Sequence, residues 1–293
     1  MMNTSFEKRI QICFRLLLVL ALCLTVTACS RNEATVEQSG QFMEIIGTPD
    51  EQHMMYNPTT EPPTEEPTIA TLGTNCIGLT EQDLPEDAKV VYLTFDDGPS
   101  SNTPKILDIL DRYGCGATFF VMKSDYEDQY KNIVDHGHSI ALHTYSHDFE
   151  DVYESTDNYF ADLERISNVV FDKTGVRSKL IRFPGGSSNT RSRSICEGIM
   201  TELVDEVEER GYAYFDWNAD SEDASGNNIP SSRILEASTS YTQNKIVLLL
   251  HDTNQKDTTV EALPHIIEHY IDQGYYFLSL NENSPTAHHG VLN

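Results

Sequence analysis

Basic residues are scarce: the 293-residue chain carries 20 lysines and arginines against 46 aspartates and glutamates, a formal net charge of −26. Phosphate binding needs a basic face, so no nucleic-acid partner is expected. The acidity is compatible with a neutral, hydroxyl-rich ligand without pointing to one, and solubility alone explains it. Cysteine is sparse too, and none of the six stands in a C-x-x-C spacing, which argues against a thiolate zinc site. Three of them, Cys76, Cys115 and Cys196, lie beyond the amino-terminal segment, and an odd number cannot all pair internally. Cys115 and Cys196 read as small buried hydrophobes. Tryptophan occurs once, at Trp217. The apolar run over 16–26 is too short to span a bilayer comfortably.

That run has the size of a signal-peptide core. Lys8, Arg9 and Arg15 precede it, and Val26-Thr27-Ala28-Cys29 follows it, resembling a bacterial lipobox. Residues 1–29 are therefore expected to be a lipoprotein signal peptide ending at a lipidated Cys29, which would hold the protein on the extracytoplasmic face of the cell membrane. An ordinary secretory signal or an uncleaved anchor is the alternative. From 30 to 81 the composition turns to threonine, glutamate and proline, centred on Pro58-Thr59-Thr60-Glu61-Pro62-Pro63. Such a stretch buries too little apolar surface to offset its ordering entropy and reads as an extended tether. The remainder, a domain over 82–285 and a tail over 286–293, fits one α/β barrel, a fold that absorbs about 200 to 250 residues.

In this domain short apolar runs alternate with amphipathic stretches. Strands are expected over 90–95, 117–122, 139–143, 179–183, 212–217, 246–251 and 275–280, and helices over 103–113, 126–136, 157–173, 192–210, 231–241 and 260–273. Gly114, Gly137, Gly175, Gly211 and Gly274 each follow a helix, where a left-handed cap favours glycine. Seven strands alternating with helices predict a parallel sheet curled into a barrel, whose site lies beyond the carboxyl ends of the strands.

Polar residues gather at those ends: Asp96 and Asp97, His143 and His147, Arg182 to Gly186, Trp217 to Asp223, and His251. Taken alone, each is ordinary. An H-x-x-x-H pair is undemanding, Asp-Asp-Gly-Pro is a turn, and a histidine leaving a buried strand is commonly a hydrogen-bonded core residue. Together at one rim, two imidazoles and a carboxylate form a three-ligand set with room for water, whose pKa a zinc ion lowers to about 7. Adjacent Asp96 and Asp97 both reach the site only if the strand stops there, and Gly98-Pro99 supplies the stop. One carboxylate then binds metal while the other serves as base. His251 is suited to protonating a leaving amine, with Asp223 orienting its ring.

Thr94-Phe95-Asp96-Asp97-Gly98, His143-Thr144-Tyr145-Ser146-His147, Arg182-Phe183-Pro184-Gly185-Gly186, Asp220-Ser221-Glu222-Asp223 and Leu249-Leu250-His251 resemble, in order and spacing, the five motifs of the NodB-homology polysaccharide deacetylases, carbohydrate esterase family four. The resemblance covers about 88–280 and implies a distorted (β/α)7 barrel. It also implies that Asp96 is the general base, that Asp97, His143 and His147 bind one divalent ion, Zn²⁺ with Co²⁺ or another divalent ion as alternatives, that Arg182 orients Asp96, that His251 is the general acid, and that Asp223 tunes it. Pro184, Gly185, Gly186 and Leu249 are placed at the substrate, the Gly185 N–H at the oxyanion and Leu249 at the acetyl methyl.

The chain departs from the family at two points. Gly185 stands where many members have an aromatic residue, and Ala224 follows Asp223 where a tryptophan is usual; Trp217 either lines the groove instead or belongs to the core. The expected activity is removal of N-acetyl groups from a cell-wall amino-sugar polymer, with peptidoglycan N-acetylglucosamine or N-acetylmuramic acid leading over chitin oligomers, a biofilm polysaccharide or O-acetylated xylan. The acetylated glycan and the membrane are the expected partners, and no protein partner is inferred. A non-catalytic glycan-binding lipoprotein, which loss of a metal ligand or of the base would favour, and a metal-storage or sensing lipoprotein, which would need no Asp96, Arg182 or His251 around the ion, are the rivals.

Overall fold

The chain is described here from a computed structural model, over residues 75–293. The expected signal segment, Cys29 and the tether up to residue 74 lie outside the described residues. Among the described residues no helix is long and apolar enough to cross a membrane.

Among the described residues, eight strands are interspersed with seven α-helices: β1 (Lys89–Gly98), α1 (Thr103–Tyr113), β2 (Ala117–Val121), α2 (Asp128–Asp135), β3 (Ser139–Leu142), α3 (Phe149–Val152), α4 (Thr156–Thr174), β4 (Leu180–Ile181), α5 (Ile199–Glu209), β5 (Ala213–Tyr214), β6 (Ala219–Asp220), α6 (Ser231–Ser238), β7 (Lys245–His251), α7 (Asp257–Asp272) and β8 (Tyr275–Phe277). The strands form one parallel sheet in the order β5-β4-β3-β2-β1-β7-β6, with β8 paired to the start of β1. No ladder joins β5 to β6 among the described residues, so the curled sheet keeps a seam. The chain crosses that seam directly, through Phe215 to Asn218, without a helix. This is the distorted barrel the motifs imply.

Strand periodicity sorts the side chains into two cores. Val91, Leu93, Phe95, Phe119, Ile140, Ile181, Leu248 and Leu250 join the helices in the outer cluster. Their alternates Val90, Tyr92, Phe120, Ala141, Leu180, Phe215 and Val247 fill the barrel interior. Both sets are buried, which is why the strands read as continuous apolar runs.

Several boundaries differ from the sequence reading. Gly198, with φ 86°, opens α5 and splits the expected 192–210 helix into a 3₁₀ turn, Ser192–Ser194, and an α-helix. The short elements α3 and β6 have too few residues for a periodic signal. Cys196 is half-buried rather than interior, whereas Cys76, within the expected tether, is buried and its N–H bonds the Gly114 carbonyl. The 286–293 segment packs on the domain: the Ala287 carbonyl accepts from the Asp216 N–H, and the Asn293 side chain accepts from the Gly198 N–H. All five predicted cap glycines have positive φ, between 63° and 82°.

Candidate active site

Interior parity continues upward to the carboxyl rim. Val90, Tyr92, Thr94 and Asp96 share one face of β1; Ala141 and His143, Leu180 and Arg182, and Val247, Leu249 and His251 do the same on their strands. The register sets Asp96 beside His251 on one flank and Phe120 on the other. The polar side chains therefore crown an apolar interior, where weak solvation strengthens each contact among them.

Asp97 breaks the parity. β1 does not stop at Asp97, as the sequence suggested; it bulges there, its register slipping between Asp96 and Gly98. Asp97 sits at φ 69°, the left-handed turn that brings its carboxylate to the same rim as Asp96. Gly98 follows because Asp252 leaves no room: a Cβ at residue 98 would stand 2.6 Å from the Asp252 carboxylate. Ser100 and Thr103 hydroxyls donate to that carboxylate at 2.6 and 2.5 Å, and its burial raises its pKa.

The His143 to His147 loop is turned by two left-handed residues, Thr144 (φ 69°) and His147 (φ 54°). Asp162 on α4 holds it by accepting the N–H groups of Tyr145 and Ser146. The His143 Nδ1–H donates to the Arg182 carbonyl at 2.8 Å, which leaves its Nε2 as the free lone pair. That Nε2 and the His147 Nε2 each lie 3.6 Å from Asp97 Oδ1. The three ligand atoms fall within 4.8 Å of one another. Asp97 Oδ1 is buried and has no hydrogen-bond partner among the described residues. An orphaned carboxylate oxygen facing two imidazole nitrogens is a poor arrangement without a cation and a fitting one around it. Burial, then the neighbouring His143, lowers the His147 pKa and favours the neutral imidazole that ligation requires.

Around this triad stand two ion pairs, one buried and one part-buried. Arg182 is fully buried; its Nη1 donates to Asp96 Oδ1 at 2.7 Å and to Thr94 Oγ1 at 2.9 Å, while Nε and Nη2 donate to the Phe215 and Asp216 carbonyls, both at 2.9 Å. A buried guanidinium so fully bonded fixes the Asp96 carboxylate in place. Asp96 Oδ2 faces His143 Nε2 at 3.8 Å. On the other flank the His251 Nδ1–H donates to Asp223 Oδ1 at 2.7 Å, and Asp223 Oδ2 accepts from the His251 backbone N–H and the Thr259 hydroxyl, both at 2.9 Å. Burial opposes the charged imidazole, yet the bond and charge of Asp223, with Asp96 and Asp97 beyond, raise the His251 pKa to about 9. Asp223 is itself buried, and its partnership with His251 lowers its pKa.

The remaining predicted residues line the same rim. Pro184 is buried, its carbonyl taking the Tyr153 hydroxyl at 2.8 Å. Gly185 is exposed, with φ 75°, and its N–H donates to no acceptor among the described residues. A Cβ on Gly186 would stand 3.0 Å from the Trp217 ring, so glycine there admits the tryptophan. Trp217 is half-buried, against the interior core. Leu249 is buried two residues below His251, and Ala224 is exposed. A cleft of about 920 Å³ at the amino ends of the strands, lined by Ser139, Leu180 and Lys245, holds none of these side chains. The sequence reading missed Asp162, Asp216 and Lys256, whose Nζ donates to the Asp223 carbonyl at 2.5 Å. Isolated acidic and basic residues in loops and helices carry no spacing signal that separates them from solvent-facing charge.

The polysaccharide deacetylase family model matches residues 83–200. A putative polysaccharide deacetylase of Bacillus subtilis is 30% identical over 210 residues, 68% of this chain and 70% of that protein. A peptidoglycan-N-acetylglucosamine deacetylase of Bacillus cereus is also 30% identical, over 68% of this chain and 72% of its own length. Among solved structures, the catalytic domain of the peptidoglycan N-acetylglucosamine deacetylase from Eubacterium rectale superposes with a TM-score of 0.69 at 41% identity, covering 72% of this chain and 96% of that domain. Sequence, fold and rim geometry thus agree, and the chain belongs to the polysaccharide deacetylase family of hydrolases.

Proposed function

We propose that the protein is a metal-dependent N-deacetylase of peptidoglycan amino sugars, working from a lipid anchor on Cys29 at the outer face of the cell membrane. The carrying observation is the orphaned Asp97 Oδ1, 3.6 Å from both histidine Nε2 atoms, between a buried base and a part-buried acid. Asp97, His143 and His147 would hold a divalent cation, zinc by ligand type, which as a Lewis acid polarises an acetyl carbonyl and acidifies water. Asp96, locked by Arg182, takes the proton of the attacking water. The open Gly185 N–H points to a donor for the developing oxyanion, a kind of preorganised interaction that typically carries about 3 kcal/mol of barrier. His251, charged through its pairing with Asp223, gives its Nε2 proton to the departing sugar nitrogen, and acetate leaves. Leu249 supplies the apolar surface for the acetyl methyl.

The choice of peptidoglycan rests on relatives described as peptidoglycan-N-acetylglucosamine deacetylases and on the amino-terminal signal. Acetate release by the 75–293 domain from peptidoglycan, chitin pentamer and acetylxylan, with and without a chelator, tests it. Release from peptidoglycan that is chelator-sensitive and lost in Asp97→Ala and His147→Ala is expected; variants as fast as the parent would end the assignment.

A further inference from the structure

We infer that His289, in the carboxyl-terminal segment, is a positioning residue that sets Trp217 as one wall of the glycan site. The inference rests on the deacetylase reading for the identity of the ligand and on geometry for everything else.

Trp217 lies in the strand crossing of the β5/β6 seam, between the Phe215 N–H that donates to the Ile181 carbonyl and the Asn218 N–H that donates to the Val247 carbonyl. The carbonyl and ring of Trp217 itself are held by the carboxyl-terminal segment. The His289 Nε2–H donates to the Trp217 carbonyl at 2.7 Å; a carbonyl only accepts, so Nε2 carries the proton. Nδ1 then accepts the Ser188 hydroxyl at 3.1 Å. Both ring nitrogens are thereby partnered, and the ring meets the Trp217 ring edge-on at 4.7 Å between centroids. The His289 backbone N–H donates to Asp216 Oδ2 at 2.8 Å, and Asp216 Oδ1 accepts the Ser187 N–H at 2.8 Å. One residue therefore ties the seam crossing to the loop that follows Gly185 and Gly186.

The held ring occupies a useful place. Its far edge lies against Gly186, and the Arg182 guanidinium that grips Asp96 is 5.7 Å from its centroid. Trp217 is half-buried, leaving part of an aromatic surface at the rim, the type of surface that lines small-molecule sites and takes the apolar face of a sugar ring. The rest of the catalytic set does not touch His289, so removing its side chain falls on ligand binding before chemistry.

Trp217 is the only tryptophan, so its fluorescence reads the site directly. Chitin pentamer is titrated into chelator-treated parent, His289→Ala and His289→Gln proteins, and KM and kcat for acetate release are measured with metal. His289→Ala removes the hydrogen bond to the Trp217 carbonyl and the edge-on packing of the two rings. Binding weaker by about five- to tenfold is expected, with KM raised to match and kcat reduced no more than about threefold. In His289→Gln the carboxamide N–H replaces Nε2–H, and most of the affinity returns. Equal affinity in parent and His289→Ala, a fall in kcat at constant KM, or no recovery in His289→Gln would overturn the inference. The fluorescence arm decides it without turnover, so absence of acetate release by the parent defeats the deacetylase reading alone.

Discussion

His251 carries the strongest prediction at the residue scale. Its pKa of about 9 keeps the imidazolium available through neutral pH, so the acid-requiring step persists there and fades as pH rises through about 9. Asp223→Asn removes the charge and shifts the alkaline limb of kcat/KM to lower pH; a limb that stays in place would show that another group donates the proton. The same pairing feeds stability. A histidine raised above its unfolded value near 6.5 contributes fully below that pH, and the contribution is lost as pH climbs through the folded value. Chelator-treated protein is therefore expected to lose thermal stability between about pH 6.5 and 9, and Asp223→Asn to flatten that slope. The polar residues that the structure gathers at the rim were legible in the sequence because they stand in short runs at strand ends. The side chains that aim them, Asp162, Asp216 and Lys256, were not, because each is a single charge whose partner is distant in the chain.

Elements place these groups by bends rather than by regular structure. The bulge at Asp97 requires Gly98, and Gly98→Ala would push a methyl into Asp252, already fixed by two hydroxyls. Overpacking of this kind costs about 1–3 kcal/mol, measurable as a lowered urea midpoint. Asp162 offers a second test: Asp162→Ala strips the acceptor from two N–H groups of the histidine loop. Metal affinity by competition with a chromogenic chelator should fall about 10- to 100-fold; unchanged affinity would show that the loop holds its shape without α4. Helix α1 was legible to the residue from its amphipathic period and the glycine behind it, whereas the break at Gly198 was not, since an isolated glycine inside a helical pattern is often tolerated. The Asp-Asp-Gly-Pro run announced a turn but not which kind: a stop and a bulge use the same residues.

At the scale of the whole molecule the proposed lipid anchor is open to test. Cys29→Ser is expected to move the protein from the membrane to the soluble extracytoplasmic fraction without lowering acetate release per molecule; retention in the membrane would point to an uncleaved anchor. The barrel topology was legible because strands and helices alternate with capped ends, while the seam was not, as it depends on a pairing that is missing and leaves no trace in composition. One feature of the barrel also limits how the sequence can vary. Asp96, His143, Arg182 and His251 reach the rim by even steps from interior residues on their strands, so inserting or deleting a single residue within β7 below His251 would turn the imidazole outward among the helices, and a change of two would restore its facing. Odd changes of length belong in loops and helices, and each strand beneath the rim keeps a fixed reading frame.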